Sequence, residues 1–239
     1  MSILCEKGTD RYKTAGFCLS ASSLTYITFR RMIKALLLIL EPVAAWERIV
    51  KAQRSFGFVL GVQLLPLLIL TSAAEGYGLV HWGKWRADVS RLKVFSVSEA
   101  VAFELGQLIL TLAVVFIGSH LIRSLGGTFH GRHSYLQAFT TVTYSLSPLF
   151  LLRALDAFAW ANPWVLWVAG VLLSIAVLYH GLPRVMLPDP PHAFGLYLSS
   201  AIFLTISTGL VRFLTWWYLL GRFEKLETWI NELAARLHS

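Results

Sequence analysis

The sequence predicts an all-α fold: a polytopic membrane protein of five transmembrane helices, flanked by N- and C-terminal amphipathic interfacial helices. Three observations carry this. Of 239 residues, 56% are apolar and 14% charged, against about 25% charged in an average soluble domain, so charges are too few to cover a water-facing surface. The apolar residues gather in runs of spanning length. Tryptophans and histidines also sort to alternate loops between those runs. A soluble enzyme, a disordered chain and a disulfide scaffold are excluded on these grounds.

The elements follow in order. Residues 1–31 form a loose tail rich in Ser and Thr and hold both cysteines, Cys5 and Cys18, too few for a disulfide framework or a zinc site. Arg30-Arg31 faintly suggests an export signal, but the apolar run Ala35–Leu40 is too short to serve one. A start at Met32 is the simpler expectation. Residues 32–55 form the first amphipathic helix, with Pro42 in its first turn. Val43, Trp46, Ile49 and Val50 share one face, and Glu47, Arg48, Lys51 and Arg54 the other. Such a helix either lies in the membrane interface or packs on the protein's own loops. The spans are expected at 56–74, 101–122, 138–158, 164–182 and 194–220, with kinks at Pro66 and Pro148. Gly181 and Pro183 read as the stop of the fourth, and Pro188, Pro190 and Pro191 as a stiff return loop. Residues 222–239 form the other amphipathic helix, with Phe223, Leu226, Ile230, Leu233 and Leu237 on one face.

Five spans place the termini on opposite sides. Twelve Lys and Arg then fall on the N-terminal side and seven on the other, which puts the N-terminus in the cytoplasm. Trp82, Trp85, Trp160, Trp164, Trp167, Trp216, Trp217 and Trp229 collect on one side, while most histidines collect opposite. The net charge of +8 suits anionic headgroups. Nucleic acid is not an expected partner, because no basic run interleaves with aromatics on a polar segment.

Chemistry leaves few marks. There is no His-Glu-x-x-His, Gly-x-Ser-x-Gly, Walker A or Gly-x-Gly-x-x-Gly motif. Ser119 and His120 are neighbours, so in a helix they point apart. His130, His133, His180 and His192 could approach one another as a weak metal set, but interfacial histidines are the plainer reading; no metal, cofactor or enzymatic activity is expected. Four ionisable residues lie within the apolar runs: Glu104, Arg153, Asp156 and Arg212. Each needs a partner, a cavity or the interface. Arg153 and Asp156 suit a local i,i+3 pair near a span end, and Glu104 can reach its nearby loop. For Arg212 either the fifth span ends close by, the favoured reading, or it is buried against Asp156 or Glu104.

Three motifs in order resemble the Yip domain family of integral membrane proteins. They are Glu41-Pro42-Val43-Ala44-Ala45-Trp46-Glu47-Arg48-Ile49; Gly126-Gly127-Thr128-Phe129 running through Ser134-Tyr135 to Tyr144-Ser145-Leu146-Ser147-Pro148; and Leu178-Tyr179-x-Gly181-Leu182-Pro183 with Met186 and Pro188. The middle motif is similar to the family's glycine-bearing loop and Tyr-x-x-x-Pro helix. A lysine common in the family before the fifth span is replaced here by Pro191-His192-Ala193. The resemblance implies five spans, a cytoplasmic N-terminus and no catalysis. The short N-terminal region points to a bacterial-type member in the inner membrane, and a small GTPase partner is implied only for a eukaryotic one. The function expected is a non-enzymatic scaffold, adaptor or assembly factor that contacts the bilayer and other membrane proteins or another copy of itself. Gly57 and Gly61 form a Gly-x-x-x-Gly pair suited to such contact. The alternatives are a small permease or channel component using Glu104, Asp156 and Arg212, and an accessory subunit of a larger complex.

Overall fold

The computed structural model describes residues 38–86, 89–128 and 134–219. Its elements are α1 (Pro42–Ala52), α2 (Phe56–His81), β1 (Lys84–Arg86), β2 (Val89–Lys93), α3 (Val97–Thr128), α4 (Tyr135–Ser145), α5 (Ser147–Arg153), a 3-10 turn (Ala154–Ala157), α6 (Pro163–Met186) and α7 (Pro190–Leu219). The fold is helical apart from the antiparallel hairpin β1–β2, in which Lys84 pairs with Lys93 and Trp85 with Leu92. The tail 1–31, the C-terminal segment 222–239, His130 and His133 lie outside the described residues.

Among the described residues four helices, α2, α3, α6 and α7, are long and apolar enough to cross a membrane. The expected third span is divided instead. Its first part, α4, opens with a reciprocal cap between Ser134 and Gln137 and closes at Leu146 (φ −82°, ψ −6°). Pro148, buried in the first turn of α5, has no N–H to continue the ladder. Ser147 Oγ donates to the Thr143 carbonyl at 3.0 Å across the break. Pro66 acts similarly in α2, where a π-helical stretch over Val59–Leu64 immediately precedes it and widens the helix where the ring would crowd the preceding turn.

Three expected boundaries move outwards. Helix α2 continues past Ala74 to His81, and α3 absorbs Gly126 and Gly127 into its last turns rather than leaving them in a loop. Pro183 does not stop α6, which runs through it to Met186 and ends at Leu187 in a left-handed conformation (φ 42°). A proline so near the end forfeits one hydrogen bond, and an apolar helix packed on several neighbours tolerates that loss. Pro190 and Pro191 lie in the first turn of α7, where missing N–H groups cost little.

The bundle is organised around α3 and α6. Helix α3 packs against α2, α4 and α7, and α6 against α1, α4, α5 and α7. Of the apolar face of α1, Trp46 is fully buried and Ile49 packs on the core, while Val43 and Val50 are exposed. The Trp46 Nε1–H donates to the Val177 carbonyl at 3.0 Å, and its ring meets Tyr144 edge-on at 6.1 Å. Gly181 makes room for it: a Cβ there would stand 2.2 Å from the indole. Tyr179, by contrast, points outwards against Tyr197, and Met186 is buried in the same core as Trp46. At the other end Trp82 stacks on Phe158, Phe158 meets Trp160, and Trp164 meets Trp216. These contacts join the end of α2 to the third loop and the start of α6 to the end of α7.

The Trp46–Gly181 contact yields a prediction. Gly181→Ala is expected to lower the melting temperature in detergent in the wild-type background and to do so much less in a Trp46→Ala background, where the space is open; a thermal-melt double-mutant cycle measures the coupling.

Candidate functional site

The site is a set of ion pairs buried within the bundle, and its centre is Glu75. This carboxylate, on the part of α2 beyond the expected span, is fully buried. Arg153 Nε donates to one of its oxygens at 2.8 Å and Lys84 Nζ, from the first residue of β1, donates to the other at 3.1 Å. The Arg153 Nη2 group donates to Ser72 Oγ at 3.1 Å, one turn before Glu75, and also to Glu104 on α3. A guanidinium can do this because its N–H donors form a planar fork. One cation therefore joins α2, α3 and the end of α5. Another pair lies alongside, with Arg212 of α7 donating from Nη1 to Asp156 of the 3-10 turn at 2.9 Å.

Backbone packing places these groups. A Cβ on Gly78 would stand 2.1 Å from the Ala157 carbonyl oxygen, so only a glycine lets the 3-10 turn lie this close to α2. The turn carries Asp156, and Arg153 immediately precedes it. Three carboxylates and three cations meet in this way, all buried, and their formal charges cancel.

Three sequence expectations are corrected here. Arg153 and Asp156 do not pair locally: the break after α5 turns them to different partners, Glu75 with Glu104 and Arg212 respectively. Glu104 does not reach for its loop but is held inside by Arg153. The favoured interfacial exit for Arg212 gives way to burial against Asp156, because α7 continues past it to Leu219. Glu75 and Lys84 are not identifiable from their local sequence. Glu75 stands one residue beyond the span boundary expected at Ala74, and Lys84 reads as a loop charge; a carboxylate just past a long apolar run is the available signal.

Of the remaining candidates, Ser119 Oγ donates to the Val115 carbonyl at 2.6 Å, an ordinary back-bond within a helix. His180 lies on α6 and His192 on α7, and among the described residues no three His, Cys, Asp or Glu side chains form a metal set. Two hollows flank the network. A groove of about 480 Å³ between α2 and α3 has Glu104 and Ser72 in its wall. A chamber of about 60 Å³ is lined by Gln107, Arg153, Asp156, Trp167 and Arg212 together with apolar side chains. The Arg153–Glu104 pair stands between them.

A buried charge network framed by apolar helices of spanning length is the architecture of a protein that lives in a bilayer. The family model of the Yip1 domain matches residues 36–213. The chain belongs to the Yip1 domain family. The match runs from the residues just before α1 to the residue after Arg212, so all six charged groups of the network lie within the Yip1 domain. No curated protein and no solved structure matches the chain. The protein is an integral membrane protein of the Yip1 family.

Removing one partner of a buried pair leaves the other uncompensated, at about 3–5 kcal/mol, whereas replacing both with apolar residues is often close to neutral. Asp156→Leu or Arg212→Leu alone is therefore expected to lower stability markedly, and the double variant to recover most of the loss. Thermal unfolding of the three proteins in one detergent checks this.

Proposed function

We propose that this Yip1-family protein is a non-enzymatic membrane scaffold or assembly factor that crosses the bilayer five times. The observation that carries the reading is the use of the buried charges. Glu75, Glu104, Asp156, Lys84, Arg153 and Arg212 are engaged with one another and tie together helices that are distant in sequence. A network used in this way supports a rigid framework. The outer faces of the helices are apolar, with Ile69, Ile109, Leu172 and Ile206 exposed, and suit lipid or partner helices.

Gly57 and Gly61 favour association further. Both are exposed, and nothing lies within 4 Å of where a Cβ on either would stand. They therefore do not serve packing within the bundle around Pro66, and small residues on an open face let another helix approach closely. In this reading the protein partners are another copy of the chain or other membrane proteins.

The fifth crossing is the broken segment from α4 through the 3-10 turn. As one straight helix it would rise roughly 34 Å at about 1.5 Å per residue, an upper limit that leaves only a small margin for its breaks over a hydrocarbon core of about 30 Å. With it the N-terminus faces the cytoplasm and the C-terminus the opposite side, in agreement with the basic-residue asymmetry. A bacterial inner membrane suits this topology.

Two measurements test the proposal. Reporter fusions active only on one side of the membrane are expected to give opposite signals at the two termini; equal signals would mean an even number of crossings. Crosslinking through cysteines introduced beside Gly61 is expected to capture a membrane partner or another copy, with Gly61→Val reducing the yield several-fold. The scaffold reading fails if the protein stays monomeric and alone, or if liposomes show solute flux that Glu104→Gln and Asp156→Asn abolish.

A further inference from the structure

The groove of about 480 Å³ between α2 and α3 owes its existence to the charge network. On its α2 side stand Ser72, Ala73 and Gly76, and α3 adds Ala100. Small residues of this kind ordinarily let two helices close up. Here the Arg153 guanidinium holds them apart, because its Nη2 group donates both to Ser72 of α2 and to Glu104 of α3. The bridge sets the spacing, and the small side chains leave the space outside it unfilled.

The surface of the groove is almost wholly apolar, although Ser72 and Glu104 belong to its wall. Ser72 Oγ and Glu104 Oε2 both accept from Arg153, and Glu104 Oε1 is buried. Glu104 therefore offers the groove its methylene stem, whose Cγ lies 3.4 Å from where a Cβ on Gly76 would stand. A hollow with this lining suits hydrocarbon.

Dimensions narrow the occupant. The lining runs from Ile69 to His81 on α2 and from Val97 to Leu108 on α3, about 18 Å at 1.5 Å per residue. Spread over that length, about 480 Å³ gives a mean width of about 5 Å, half the 10–12 Å diameter of an α-helix. Since carbon atoms pack about 4 Å apart, a hydrocarbon chain fits lengthwise and a partner helix does not. The groove is also open along its side. Ile69, Tyr77, Val97, Val101 and Leu105 line it and are exposed, on two helices long and apolar enough to cross a membrane. It is continuous with the outer surface by which this integral membrane protein meets the bilayer.

The two ends differ in chemistry. Ile69 and Leu108 give one an aliphatic lining. At the other, the apolar helix α2 stops at His81, whose ring stacks on Tyr77 at 3.9 Å, and Trp82 meets Tyr77 edge-on at 6.0 Å. Tyrosine and tryptophan at the end of a span mark headgroup depth.

We propose that the α2–α3 groove binds one acyl chain of a bilayer lipid, with the lipid's polar end beside Tyr77 and His81 and the chain running past Glu104 towards Ile69 and Leu108. The seated chain covers the outer flank of the Arg153–Glu104 pair and keeps water from it.

The test uses the full-length protein in phosphatidylcholine nanodiscs doped with a phosphatidylcholine that carries a diazirine on one acyl chain. After irradiation, peptides holding residues 69–81 and 97–108 are expected to carry several-fold more label than the exposed apolar face of α6 around Leu172. A diazirine near the carboxyl end of the chain is expected to mark Tyr77 and His81, and one near the methyl end Ile69 and Leu108. Ala73→Phe and Val101→Phe each fill the groove from an exposed position. Both are expected to cut its labelling several-fold while leaving the label at Leu172 and the melting temperature unchanged. Groove labelling no stronger than at Leu172 overturns the proposal, as does the reverse order of the two probes or full labelling in both variants. A Leu105→Cys protein that crosslinks to a second polypeptide and takes no lipid label overturns it in favour of a partner helix.

Discussion

The bridge from Arg153 to Glu75 and Glu104 is the constraint on which the rest of the structure depends. An arginine inside an apolar bundle has few exits, and this one is met by two carboxylates and a serine hydroxyl from two other helices. The requirement fixes how α2, α3 and the broken segment after α4 lie against one another. Apolar packing alone would leave several registers close in energy, because lipid tails are as apolar as leucine and supply no hydrophobic drive between helices. A misplaced turn would strand a charge in the interior.

The breaks in the helices serve the same end. Pro148 and Leu146 end α4 early, and the 3-10 turn that follows aims Arg153 and Asp156 at different partners. Gly78 lets that turn approach α2. A straight helix through this region would set Arg153 and Asp156 on one face, where a local pair would satisfy them and leave Glu75 and Arg212 unmatched. The irregular backbone is tolerated because protein surrounds it. Trp46, seated over Gly181, anchors α1 to the opposite end of the bundle and leaves the network free of it.

Much of this is legible in the sequence, and the limits are physical. Span positions follow from apolar runs, because hydrophobic length is a local property. The first span is expected to end at Ala74 because Glu75 breaks the run, yet a paired carboxylate can stay inside, and the pairing comes from residues far along the chain. Pro183 and Gly126-Gly127 mislead in the same way: the propensity of each is local, and the packing that overrides it is not. The motif residues Pro42, Trp46, Gly181 and Pro148 carry the family resemblance, but nothing in the sequence joins Trp46 to Gly181.

By itself, then, the sequence determined that the chain is a membrane-embedded helical protein, with apolar runs of spanning length and a charge deficit that excludes a water-facing surface. Those properties are fixed by composition and periodicity along one stretch of chain. Tertiary structure alone decided which charge meets which and that Arg212 is inside. Each of these depends on side chains from several helices arriving together, and no single stretch of sequence encodes such a meeting.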